Sequence, residues 1–184
     1  MDFVPTVFFQ SVCGFLRFVD DDVIPNVNGR FGKIARAACK DNFSVYFQIA
    51  YHEDTDTVEY RLLRDSLNGE GYAELNEYTP FDYRFIKAFF IKIHRGTPYH
   101  SLNWTPTKQN DPAFLQWLNF SFYYTALVVG EDVNFDCSSI LALIPENYTF
   151  NWIIPRCKPC KAIKRIIQKS MDANRLKVLN SPFW

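Results

Sequence analysis

The sequence has little glycine and lacks the short motifs that mark common active sites. Its 184 residues include only seven glycines, which are too few and too scattered for a glycine-rich loop around a nucleotide phosphate. Neither a G-x-S-x-G nucleophile turn nor an H-E-x-x-H metal motif occurs. We therefore predict that the protein is not an enzyme and that it uses no cofactor and no metal.

An excess of charge of one sign is also missing, because 20 basic residues balance 20 acidic ones. A chain without a net field is not drawn to a membrane surface or to nucleic acid. No apolar stretch approaches the roughly 20 residues of a membrane-spanning helix. The apolar start at residues 1–9 has no basic residue, unlike a signal peptide. We expect a cytoplasmic or nuclear protein with no membrane partner.

What the chain has in abundance is apolar and aromatic side chains. Hydrophobic residues make up 48% of the sequence and aromatic residues 17%, with 18 Phe among them. Such a composition offers enough apolar area to offset the entropy lost when a chain becomes ordered. A length of 184 residues suits one domain built around one core.

The periodicity of apolar residues changes along the first half of the chain. Helical spacing over residues 6–18 and 31–41 predicts two helices near the N-terminus. Strict alternation over residues 43–49 and again over 58–62 predicts a β-hairpin. The polar stretch that follows, up to residue 83, is interpreted as a long loop.

From residue 84 onward, predicted strands alternate with predicted helices. The strands are residues 85–93, 122–129, 148–154 and 176–179, and the helices are 111–118, 137–143 and 158–171. Strands that are apolar on both faces favour parallel pairing with helices packed against the sheet. The predicted fold class is α+β: N-terminal helices, a hairpin, then βα units with a small, mostly parallel sheet of leucine-rich-repeat-like character.

The sharpest local motif is the string RCKPCK, which begins at Arg156. It resembles the thioredoxin active-site segment, in which C-x-P-C-K starts a helix after a buried strand. A helix N-terminus and neighbouring lysines would lower the pKa of such a thiol. The resemblance implies that Cys157 and Cys160 form a redox pair. Because only 24 residues follow Cys160, too few for the rest of that fold, we interpret both as structural and keep a thiol-disulfide oxidoreductase or redox sensor as the alternative.

Two further signals near the C-terminus have simple interpretations. One C-x-x-C pair supplies only two of the four ligands that a structural zinc site needs, and no second pair is present. Residues 156–184 hold eight basic residues against one acid. We interpret this charge as the solvated face of an amphipathic helix, and a nucleic-acid partner is not expected.

Six short segments rich in aromatic residues are spread over the chain. They are MDFVP at 1–5, FFQSVC at 8–13, GRFG at 29–32, FSVYF at 43–47, FIKAFFI at 85–91 and FLQWL at 114–118. In this order they resemble the large nematode-expanded families of F-box-like and F-box-associated proteins. The resemblance implies an F-box-like helical segment at 1–42 and an α/β interaction region at 43–184 that packs with it as one unit.

The same resemblance implies a function. An F-box-like segment would bind the Skp-type adaptor of cullin–RING ubiquitin ligases, and the remainder would bind an unknown target protein. The residues implied at the adaptor interface are Val4, Pro5, Phe8, Phe9, Val12 and Leu16. We predict a non-enzymatic protein–protein interaction module that recruits substrates to such a ligase.

Overall fold

The computed structural model describes residues 33, 43–65, 71–75, 86–98, 103–119, 122, 124–130 and 132–181. Of the predicted N-terminal helices and the F-box-like segment, only Lys33 is among these residues, and its backbone is helical. The six residues implied at the adaptor interface lie outside the described part of the chain.

The described residues form eight strands and three helices. The strands are β1 (Phe43–His52), β2 (Thr57–Asp65), β3 (Tyr72–Glu74), β4 (Ile86–Arg95), β5 (Thr105–Thr107), β6 (Thr125–Val129), β7 (Trp152–Pro155) and β8 (Val178–Leu179). The helices are α1 (Pro112–Leu118), α2 (Ser138–Ala142) and α3 (Lys161–Asp172). The α+β class predicted from the sequence is confirmed.

All eight strands belong to one mixed sheet. Its order is β3-β2-β1-β4-β6-β7-β8, and β5 pairs with β2 beside β3. The predicted hairpin is present as the antiparallel pair β1–β2. From β1 onward the neighbours β4, β6, β7 and β8 are parallel, and consecutive βα units lie side by side. Right-handed crossovers between sequential neighbours place their helices on the same face of the sheet.

The core lies between the three helices and that face. Alternate residues of β1 point into it, and those from Phe43 to Ile49 each pair with a core residue of β4, as Phe47 does with Ile91. The Phe47 ring centroid is 5.7 Å from that of Phe114 and 6.4 Å from that of Trp117, both on α1. The helices α2 and α3 add Ile140, Leu141, Ile163, Ile166 and Ile167 to the same buried cluster.

Two short strands were not predicted. The strand β3 lies within the stretch interpreted as a long loop, β5 lies between the predicted strand at 85–93 and the predicted helix at 111–118, and both pair with the outer edge of β2. Three-residue strands are too short to show a period of two, so alternation could not reveal them.

The strands β6 and β7 begin three and four residues later than predicted. The aromatic residues before each strand do not take part in its backbone pairing and pack through their rings instead. The ring centroids of Phe122 and Phe89 are 4.7 Å apart, and those of Tyr148 and Phe150 are 4.8 Å apart. Apolar side chains therefore extended the sequence signal beyond the hydrogen-bonded strand.

The start of α1 matches its sequence signal. The side chain of Asp111 caps the helix by accepting a hydrogen bond of 2.9 Å from the backbone N–H of Ala113, and Pro112 is the first helical residue. None of the described helices has the length and apolar character needed to cross a membrane.

Candidate functional site

The face of the sheet opposite the helices carries a row of aromatic and apolar side chains. In register across the strands, Tyr46 pairs with Phe90, Phe90 with Ala126, Ala126 with Trp152, and Trp152 with Val178. Tyr72 extends this line at the other end, because its ring lies 4.9 Å from that of Tyr46 in an edge-on contact. We call Tyr72, Tyr46, Phe90, Trp152 and Val178 the aromatic row.

The aromatic row is open to solvent at both ends. The exposed fraction is 60% for Tyr72, 36% for Trp152 and 44% for Val178. The middle is more enclosed, since Tyr46 and Phe90 stack at 4.7 Å with nearly parallel rings. Burial and the neighbouring Tyr72 hydroxyl raise the pKa of Tyr46 to about 12, so its hydroxyl stays neutral at physiological pH. A contiguous apolar band of this kind on a surface indicates a contact site.

A second row beside it is polar. Gln48 on β1 lies directly opposite Arg61 on β2 and Lys92 on β4. The Arg61 guanidinium donates from Nε and Nη2 to the Gln48 side-chain oxygen, over 2.9 and 2.7 Å. The amide thereby fixes the orientation of the guanidinium. The polar row therefore places two cations, Arg61 and Lys92, on either side of one amide.

The polar row forms one wall of a cleft of about 440 Å³. Gln48, Arg61, Lys92, His94, Arg95, Pro98 and Asp132 line this cleft. Ala50 pairs with Glu59 on one side and with His94 on the other, and it is fully buried.

Three buried polar atoms around the cleft have no hydrogen-bond partner. They are Nη1 of Arg61, Nε2 of His94 and Nε1 of Trp104. The Arg61 guanidinium carbon lies 4.5 Å from the centre of the Trp104 ring, and the His94 ring meets the same indole edge-on. Burial, with Lys92 and Arg61 nearby, lowers the pKa of His94 to about 4. Buried polar atoms without partners are uncommon in folded proteins, so their grouping here indicates a site for a ligand.

The rim of the cleft is held by an ion-pair network. Arg95 donates to Glu53 and, over 2.7 Å, to Asp132, and these carboxylates raise its pKa. Glu53 also accepts a 3.0 Å hydrogen bond from the backbone N–H of Asp136. The positive charge of Arg95 is therefore compensated within the protein.

A threonine, a histidine and a glutamate meet beside the rim. The Nε2 atom of His52 lies 3.2 Å from Thr97 Oγ1 and 3.5 Å from Glu59 Oε2, and the Thr97 hydroxyl also donates to Glu59. In a nucleophile relay, the orienting acid contacts the ring nitrogen opposite the nucleophile. Here the hydroxyl and the carboxylate share one nitrogen, so the arrangement does not form a relay.

The two cysteines of the C-x-P-C motif occupy different environments. Cys157 is 1% exposed, and its thiol hydrogen-bonds to the thiol of Cys137. This hydrogen bond and burial raise the pKa of Cys137 far above its usual range, whereas the same bond lowers the pKa of Cys157. Helix α3 begins at Lys161, so the residue at its N-terminal cap is Cys160. The contact of Cys157 is thus with Cys137, a pairing that spacing in sequence did not indicate.

The described residues contain no group of three or more potential metal ligands. The aromatic row was hidden in the sequence because β4 is apolar on both faces and gave only a general signal of burial. The cleft had a weak signal in the polar residues that alternate with apolar ones in β1, β2 and β4.

Comparison of the chain with protein-family models, with curated proteins and with solved structures finds no match. Its function is therefore inferred from the sequence and from the geometry given above.

Proposed function

We propose that the chain is a non-enzymatic protein-binding module and that it holds a partner protein on the open face of its sheet. One observation carries this proposal: the aromatic row takes its five side chains from five strands on the face opposite the helices, and three of the five are substantially exposed.

The composition of the row suits protein recognition. Tyr and Trp are enriched among the residues that dominate binding energy, because they bury a large area at a small cost in side-chain entropy. The row extends from β3 to β8 over six spacings of about 4.8 Å between adjacent strands, so the contact line is roughly 30 Å long. This length matches a short extended or helical segment of a partner, and the sheet beneath holds the contact residues rigidly.

Peptide selection on the full chain tests the proposal and does not require the partner to be identified first. Peptides selected from a displayed random library are expected to lose about tenfold or more in affinity for a Trp152→Ala variant, since truncating a central aromatic residue costs about 2 kcal/mol or more. Fluorescence polarisation with the selected peptides measures this change.

The matched control is Met171→Ala. Met171 is 55% exposed and lies on α3, in the helical layer on the other side of the sheet. The proposal requires that this variant bind the peptides as the unaltered chain does. Peptides that bind the Trp152 variant at full affinity, or no selectable peptide at all, would contradict the proposal.

We extend the proposal to the N-terminal segment on the strength of its F-box-like sequence. Residues 1–42 would bind a Skp-type adaptor, and the open face of the sheet would present a target protein for ubiquitination. The cytoplasm or the nucleus would be the place of action. Only the sequence resemblance supports adaptor binding by residues 1–42. Failure of this extension would leave the proposal of protein binding by the aromatic row intact.

Co-expression with a Skp-type adaptor tests the extension. We expect the unaltered chain to co-elute with the adaptor in size-exclusion chromatography and a Phe8→Asp plus Phe9→Asp variant to elute alone. A Trp152→Ala chain serves as the control and should still co-elute, because its change lies on the proposed target surface. Separate elution of the unaltered, folded chain would remove the ligase role.

The thiol–disulfide alternative has less support. Exchange needs an accessible thiolate, but the thiol of Cys157 is buried and hydrogen-bonded to the thiol of Cys137. The more accessible Cys160 lies at the start of α3, without a side-chain hydrogen bond to the helix.

A further inference from the structure

We propose that the cleft beside the aromatic row is a binding site for the phosphate group of a phosphate monoester. The proposal goes beyond protein binding by the aromatic row and does not depend on it. It rests on the unpartnered donors, the charge and the shape of the cleft.

The donors come from separate directions. Arg61 uses one N–H of Nε and one of Nη2 on Gln48, while its Nη1 has no hydrogen-bond partner. Around the cleft, the indole Nε1 of Trp104 and the Nε2 of His94 are further buried atoms of the described residues without a partner. Several separate nitrogen atoms suit the three terminal oxygens of a phosphate monoester.

Among the described residues that line the cleft, positive charge is in excess. Arg95 is paired with Glu53 and with Asp132, and Asp132 is the one carboxylate in this described set. Lys92, by contrast, has no carboxylate partner within the described part of the chain. Burial lowers the pKa of Arg61. The carboxylate of Glu74 partly offsets this by a longer-range charge interaction that raises the same pKa.

Within the described lining, Arg61 and Lys92 are thus the two cations that have no carboxylate in direct contact. A phosphate monoester carries about −1.5 to −2 charges at neutral pH, which balances them, whereas one carboxylate would leave an excess of positive charge. Charge matching therefore favours phosphate over a single carboxylate.

The shape of the cleft accommodates such a group. Its volume of about 440 Å³ exceeds what the phosphate alone requires. Pro98 lines part of the cleft and gives it an apolar portion for the organic part of the ester. Gln48 holds the Arg61 guanidinium in position before any ligand arrives, so little side-chain entropy is lost on binding.

His94 adds a proton-linked contribution. The charged groups that share the cleft with it are Lys92 on its own strand, Arg61 on β2, and the Arg95–Asp132 pair at the rim. Burial, with Lys92 and Arg61 nearby, keeps its imidazole neutral. A phosphate dianion would oppose that effect and raise the pKa of His94, so binding should be accompanied by proton uptake.

Titration of the full chain with inorganic phosphate tests the site. The readout is the indole N–H resonance of Trp104 in two-dimensional ¹H–¹⁵N spectra, assigned with a Trp104→Phe variant. We expect a saturable shift of this resonance. In a Lys92→Gln variant the dissociation constant should rise about tenfold or more, because one charge-assisted contact is lost.

Two further variants serve as controls. Lys92→Arg keeps the charge and should retain most of the affinity, whereas Lys169→Gln removes an equal charge from the exposed last turn of α3 and should leave binding unchanged. The spectra themselves report whether each variant is folded. A Trp104 shift that does not saturate, or one that is the same in the Lys92→Gln chain, would overturn the proposal.

Two ligands then distinguish the source of the phosphate. A blocked phosphoserine that binds as tightly as a longer phosphoserine peptide indicates a small phosphate ester as the ligand. A peptide that binds about tenfold more tightly indicates a phosphorylated protein chain, whose flanking residues add contacts. The same peptide with Ser in place of phosphoserine should leave the Trp104 resonance unshifted, and a matching shift by that peptide would count against a phosphate site.

Discussion

A Phe47→Ala chain should be less stable than the unaltered protein by about 3–5 kcal/mol. Phe47 is fully buried at the centre of β1, and its ring contacts rings on β2, β4 and α1. Removing the ring takes away apolar burial and leaves a cavity between sheet and helix that rigid strands cannot close. Equilibrium unfolding in urea, followed by far-ultraviolet circular dichroism, measures the difference.

Phe90→Ala is the matched control for that experiment. Phe90 is also in the middle of the sheet, but it lies on the open face and is only half-buried. Its loss should cost about 1–2 kcal/mol, because solvent can enter the space that it leaves. Equal losses for the two variants would contradict the assignment of the core to the helix-covered face.

The second large effect is expected at Gly130, just after β6. Its φ of +62° lies in the left-handed region, and a Cβ added there would meet the Arg156 carbonyl oxygen at 2.6 Å and the Phe135 ring at 2.9 Å. Neither neighbour can move freely, since the Arg156 N–H donates to Val129 and Phe135 is fully buried. A Gly130→Ala change should cost about 3 kcal/mol or more, as a sum of backbone strain and overpacking.

Gly71→Ala separates these two causes. Gly71 also has a positive φ, of +96°, but nothing lies within 4 Å of an added Cβ. Only the backbone preference opposes this change, at about 1–2 kcal/mol. Thermal unfolding of both variants measures the two losses of stability. If the Gly130 variant is as stable as the Gly71 variant or more so, Gly130 does not lie close to the Arg156 carbonyl group as described.

The alternation of helices and strands in the second half of the chain was predictable from sequence. Buried parallel strands produce dense apolar runs, and the Asp111-Pro112 pair marks the start of α1. The pairing of β1 with β4 was not predictable, because the sequence separates them by β2 and by a long polar stretch. Pairing over such a distance depends on tertiary packing and leaves no local periodicity.

The functional surfaces were less predictable still. The aromatic row combines residues from five strands. The contact between Cys137 and Cys157 brings the start of α2 close to the segment that follows β7. Each such grouping depends on strand order. The C-x-P-C spacing gave a clear sequence signal, yet the helix begins four residues after Cys157, so the strongest motif did not coincide with the most distinctive site.

The order of strands also bears on how the chain folds. The β1–β2 hairpin and each βα unit from β4 onward bring together residues that are close in sequence. The pairing of Phe43 with Ile86 instead closes a segment of about 40 residues, and the entropy of that closure must be overcome before the pairing contributes stability. We expect the joining of the hairpin to β4 to be the slow event in folding, with the βα units adding to the sheet one after another.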